Sequence, residues 1–80
     1  MAIVFKSDKA RIEENKKEKT LTLYKTSRAN YDGIIGDYTN ETKINYKTGL
    51  LQSWTSRDYY ATYIKRLADR KAALDYLKLQ

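Results

Sequence analysis

The groups in this 80-residue chain that could do chemistry are eight tyrosines, one tryptophan, ten carboxylates and sixteen lysines and arginines, because histidine and cysteine are both absent. That absence removes a histidine general base, a cysteine nucleophile and a Cys/His zinc site together. The carboxylates do not fill the gap. Glu13 and Glu14 are adjacent and point apart on a helix, so they make no acid/base pair. Asp32 and Asp37 flank a near-palindrome, Tyr31-Asp32-Gly33-Ile34-Ile35-Gly36-Asp37-Tyr38, without the ligand spacing of a calcium loop, and read as turn residues. Gly33 and Gly36 have the G-x-x-G spacing of a backbone-clamping KH loop, but no basic residue stands between them. No phosphate loop or glycine-rich cofactor turn occurs. The expectation is a protein that is not an enzyme, with no cofactor, no metal and no small-molecule substrate.

Binding chemistry remains. Aromatic residues and arginine are what the buried centres of protein interfaces favour. Trp54, Tyr60, Tyr63, Leu67, Arg70, Lys71 and Leu74 fall in one stretch and form the expected partner-binding set. A second set, Lys16, Lys17, Lys19, Arg66, Arg70 and Lys71, has the chemistry to contact nucleic-acid phosphates while a tyrosine or Trp54 stacks on bases. No RNP-like, zinc-finger or helix-turn-helix signature accompanies it. The formal net charge is +6, with the surplus at both ends of the chain, which suits an acidic partner and equally keeps a small protein in solution.

These residues need elements to position them. Thr55 and Asp58 have capping-box spacing, and Trp54 and Tyr59 occupy the two positions of a hydrophobic staple. The spacing predicts a long amphipathic helix over 55–79, with Tyr59, Tyr60, Tyr63, Ile64, Leu67, Leu74 and Leu77 on one face and Arg70 inside that stripe. Residues 2–5 read as a short strand or an arm. Residues 9–19 alternate cations with glutamates and suit a solvated helix, giving a basic charged arm or helix over 1–19. Period-two alternation over 20–24 and 41–48 predicts a β-hairpin or small antiparallel sheet within 20–48, with 31–38 as a loop between its strands. A competing seam of Leu21, Tyr24, Arg28, Tyr31, Ile35 and Tyr38 would instead make 20–40 a helix, and the fold a helical hairpin. Its glycines and threonines count against it.

The expected fold is thus α+β, a small single domain over 1–80 with a charged N-terminal helix, a hairpin and a long C-terminal helix. That order is similar to the small head–tail joining proteins of tailed phages, which implies a virion or accessory component. The functional expectation is a non-enzymatic structural or adaptor protein that contacts a protein partner or further copies of itself. Nucleic-acid binding is the alternative, and inhibition of a host enzyme a further one. A core this small is often completed by a partner. The missing cysteines and the short apolar run at residues 2–5 suggest a cytoplasmic protein or one within an assembled particle, away from membranes and disulfide-forming compartments.

Overall fold

The computed structural model describes residues 2–55 and 64–80. Five strands follow one another as β1 (Ala2–Lys6), β2 (Ala10–Asn15), β3 (Thr20–Tyr31), β4 (Ile34–Asn45) and β5 (Leu50–Thr55), and a single short helix, α1 (Arg70–Lys78), closes the chain. The strands form one antiparallel meander in sequence order. The molecule is therefore mostly antiparallel sheet. Neither the long amphipathic helix over 55–79 nor the helical hairpin exists, and the α+β expectation built on them is overturned.

Each departure has a local cause. Residues 9–19 are strand and turn because Ala10, Ile12 and Glu14 step two residues apart, placing all three on the sheet's inner face, where Ile12 and Glu14 are fully buried. Only a carboxylate at the third position hid that period. Asn15 then ends β2. Its Oδ1 accepts from the amides of Lys17 and Glu18 at 3.1 Å each, and Lys19 takes a left-handed φ of 60° to bring the chain back at Thr20. Asn45 builds the same turn thirty residues later, accepting from Lys47 and Thr48, with Gly49 at φ 78°. The two turns lie side by side, joined by the Tyr46 amide donating to the Lys19 carbonyl at 2.9 Å.

The expected loop over 31–38 shrinks to Asp32 and Gly33. Their φ angles of 53° and 82° make a two-residue hairpin turn of the primed kind, which matches the twist of the flanking strands. Tyr31 pairs directly with Ile34, and the remaining residues of that segment are strand. Twelve cross-strand pairs run from this turn to Thr20 and Asn45, so the seam proposed for a helical 20–40 is a strand ladder.

The helix begins fifteen residues late. Thr55 and Trp54 lie in β5, opposite Asn40 and Glu41, so neither caps nor staples a helix, while Asp58 and Tyr59 lie outside the described residues. The chain then lies antiparallel against the start of β5, through Leu51 N–H to the Lys65 carbonyl at 2.9 Å and Leu67 N–H to the Gly49 carbonyl at 2.7 Å. Backbone engaged in this way is extended and not helical. Asp69 caps α1 instead, its side chain accepting from the Lys71 amide at 3.3 Å.

A nine-residue helix is not stable alone and must be held by packing. Ala73 and Leu77 of α1 are buried against Ile12, Leu21, Leu23, Ile44 and Leu51 of the sheet, with Phe5, Leu67, Leu74 and Tyr76 around the margin. Two cations sit over rings at this margin, Lys78 Nζ 5.7 Å from Phe5 and Lys65 Nζ 5.0 Å from Tyr76. Ile64, expected on the core face, is exposed. Among the described residues no helix is long and apolar enough to cross a membrane.

Gly49 is the glycine this arrangement cannot lose. An added Cβ would strain its positive φ and stand 3.0 Å from the Ala68 Cβ, in the segment that leads into α1. Gly49→Ala is expected to destabilise the fold by about 1–3 kcal/mol, whereas Gly36→Ala, with nothing within 4 Å, is expected to change it by less than about 0.5 kcal/mol. Urea denaturation of the two variants beside the parent checks the contrast.

Candidate functional site

The expected partner-binding set is split by the fold. Tyr60 and Tyr63 lie outside the described residues. Trp54 belongs to β5, with only its backbone described. Leu67 and Leu74 are half-buried and pack on the core, so they serve the interior of this chain. Lys71 pairs with Asp75 one helical turn on, at 3.1 Å, as an exposed pair of small energetic consequence.

Arg70 has the most specific role of the set, and it is internal. Its Nε donates to Glu14 Oε2 at 2.8 Å and its Nη2 to Glu14 Oε1 at 2.9 Å, a two-pronged pair that fixes the first turn of α1 to β2. Tyr46 Oη donates to the same Glu14 Oε2 at 2.6 Å from the turn between β4 and β5. Glu14 keeps 1% of its surface in water and, among the described residues, no buried side-chain polar atom is left unsatisfied. Burial alone would raise its pKa. The hydrogen bonds from Arg70 and then Tyr46 outweigh that and hold the carboxyl down to about 2. The same bonds push Tyr46 and Arg70 upward, each through its hydrogen bond to Glu14. A carboxylate this satisfied has no proton to exchange near neutrality and no open lone pair for a substrate, so the cluster is a structural clasp.

The expected phosphate-contacting set also disperses. Lys16, Lys17 and Lys19 sit in the turn between β2 and β3, Arg66 lies exposed beside β5, and Arg70 and Lys71 are engaged by Glu14 and Asp75. They do not share one surface.

The feature that sequence reasoning missed is the far half of the β3–β4 ribbon. Among the described residues, β2 accompanies β3 as far as Lys25, with a last bond from Thr26 N–H to the Lys9 carbonyl, and β5 accompanies β4 as far as Asn40. From the Ser27–Tyr38 pair outward to Tyr31–Ile34 the two strands run without a described neighbour for roughly 15–17 Å. This accounts for the elongated 40 × 25 × 20 Å shape. At the tip Ile34 and Ile35 are 59% and 63% exposed. They point to opposite faces of the ribbon, so each face of the tip carries one exposed isoleucine. Tyr38 Oη donates to the Ile34 carbonyl at 3.3 Å and braces the turn. The available signal was Asp32-Gly33 followed directly by two β-branched residues, a short hairpin signature. The palindromic look of the segment disguised it as a loop with two glycine corners.

The pairing of a buried carboxylate with a guanidinium gives the fold a defined acid response. The folded pKa of Glu14 lies below its unfolded value near 4.5, so its contribution is complete above that pH and is lost as the pH falls toward about 2. Arg70→Met leaves the carboxylate buried beside Tyr46 alone. It is expected to destabilise the fold, by less than the loss of one partner from a fully enclosed pair would, because the Arg70 side chain keeps 44% of its surface in water. Because the variant keeps the buried carboxyl without its guanidinium, protonation of Glu14 relieves the loss, so urea denaturation followed by circular dichroism should show the gap from the parent in full above about pH 5 and narrowing as the pH falls toward about 2. A gap that does not change with pH would show that the clasp does not hold the helix.

No family model matches the chain, and no curated protein or solved structure is significantly similar to it.

Proposed function

We propose that this chain is a non-enzymatic protein-contact module, and that the contact is made by the tip of the β3–β4 ribbon and not by the C-terminal helix. The observation that carries this reading is the exposure of Ile34 and Ile35 at the end of a ribbon that, among the described residues, extends past its flanking strands. An isolated two-stranded ribbon is marginally stable in water, and β-branched residues at its end gain nothing from solvent. Both costs fall when the tip enters an apolar groove on another protein.

The ribbon's charge supports the choice of partner. Residues 27–38 hold Arg28 against Asp32 and Asp37, so this part of a strongly basic chain is slightly acidic. A phosphate-rich partner would be repelled there. The backbone placement of Arg28 directly across from Asp37 leaves the shaft of the ribbon balanced, with the apolar residues concentrated at the end. The likeness to phage head–tail joining proteins rested on an element order that the sheet replaces, and it adds nothing to this reading.

A photo-crosslinking residue placed at position 35, in the cell that makes the protein, is expected to give one discrete protein adduct. Ile34→Ser in the same chain should abolish that adduct while changing stability by less than about 0.5 kcal/mol, because Ile34 is more than half exposed. A crosslinker at Leu79, exposed at the other end of the chain, should give none. Equal adducts from positions 35 and 79, or none at 35, would refute the reading.

A further inference from the structure

The sheet has a second face, turned away from α1, and its residues differ in kind from those of the ribbon tip. At the end of the sheet where the two asparagine-clamped turns meet, Lys17, Lys43 and Lys47 surround an open concavity of about 640 Å³. Thr20, Asn45, Thr48, Leu50 and Gln52 complete its lining, and Glu18 is the one carboxylate in it. We infer that this concavity is a binding site for the phosphate backbone of a nucleic acid, read without regard to base sequence.

Three observations carry the inference. The first is charge complementarity, three ammonium groups against a single carboxylate around one hollow. The second is rigidity. The turn that carries Lys17 is held by two hydrogen bonds to Asn15 Oδ1, the turn that carries Lys47 by two to Asn45 Oδ1, and the turns are tied to each other through Tyr46 and Lys19. Lys43 rises from β4 between them, beside the buried Thr22 of β3. Little backbone entropy is left to lose when an anion binds.

The third is the type of donor. Lysine, threonine, asparagine and glutamine are residues that contact phosphate and sugar. Protein interface centres are instead rich in arginine and aromatic rings and poor in lysine, and among the described residues this hollow has neither arginine nor an aromatic ring in its lining. Of the three, only Lys17 belongs to the cations that adjacency along the chain singles out. Lys43 and Lys47 are far from Lys17 in sequence, and only the meander brings the three together.

Three lysines displace counterions from up to three phosphates, which sets the expected salt dependence. Raising salt from 20 to 100 mM should weaken binding of a labelled single strand by about 25-fold and of a duplex by about 80-fold, from logarithmic slopes of about −2 and −2.7. Fluorescence anisotropy with mixed-sequence oligonucleotides of both kinds reads this directly. The combined variant Lys17→Gln, Lys43→Gln, Lys47→Gln should lose most of the affinity and flatten the slope, whereas Lys71→Gln with Lys78→Gln should retain both. Lys43→Arg keeps the charge and should bind like the parent, which separates loss of charge from damage to the sheet. No binding at 20 mM salt would overturn the inference, as would binding that the triple variant leaves intact. Equal affinity for polyglutamate would also overturn it and give the hollow to an acidic protein. The ribbon-tip crosslink is independent of all these outcomes.

Discussion

The fold depends on one buried carboxylate. Glu14 lies on the inner face of β2, among side chains that have no use for a charge, and it is tolerable there only because Arg70 and Tyr46 together satisfy both of its oxygens. Those partners come from the start of α1 and from the turn after β4. One side chain therefore sets where the helix begins, how it lies across β3 and how the β4–β5 turn sits over the sheet. The apolar contacts of Ala73 and Leu77 supply the attraction, but they would permit neighbouring placements of so short a helix. The bidentate geometry of arginine on carboxylate allows far fewer.

The two faces of the sheet then do different things. The inner face carries Ile12, Leu23 and Ile44 and is closed by α1, while the outer face carries threonines, lysines and glutamates, among which Thr20 and Thr22 are buried. Period-two alternation enforces this division residue by residue along β3 and β4. Where the flanking strands stop, no described element covers either face. The alternation there becomes polar on the shaft and apolar at the tip. A basic hollow at one end of the sheet and an apolar point at the other thus follow from strand lengths, since β3 is twice as long as β2 and pairs with β4 throughout.

Part of this was legible in the sequence. The alternation at Leu21-Thr22-Leu23 and at Lys43-Ile44-Asn45 marks two strands, and the structure pairs Leu21 with Ile44. The N-terminal Ala2–Phe5 run is likewise extended. What failed was any inference that needed a partner distant in sequence. The cap and staple at 54–59 fit a helix only in isolation, because nothing local reveals that β4 takes Trp54 and Thr55 into the sheet. The strand at 10–15 was hidden because Glu14 breaks an apolar alternation, and its reason for being inside stands 56 residues away at Arg70. The same distance in sequence bears on the candidate contact residues, of which Arg70, Leu67 and Leu74 make contacts within the chain. Aromatic and basic residues near the C-terminus suggested a surface, and several of them proved to be the means by which the chain closes on itself. The repeated turn was visible in principle, as an asparagine four residues before a left-handed Lys19 or Gly49.

The clasp also orders events in time. Every strand pairing in the meander joins segments adjacent along the chain through turns of a few residues, so the sheet can form as soon as its strands exist, with little loop-closure entropy to overcome. Glu14 gains its guanidinium only when Arg70 arrives. During synthesis the carboxylate and the apolar residues around it must therefore wait on an open sheet face until Arg70 has been made. The residue that is most costly to bury goes unpaired the longest, and its charge keeps that face hydrated until the helix that needs it is present.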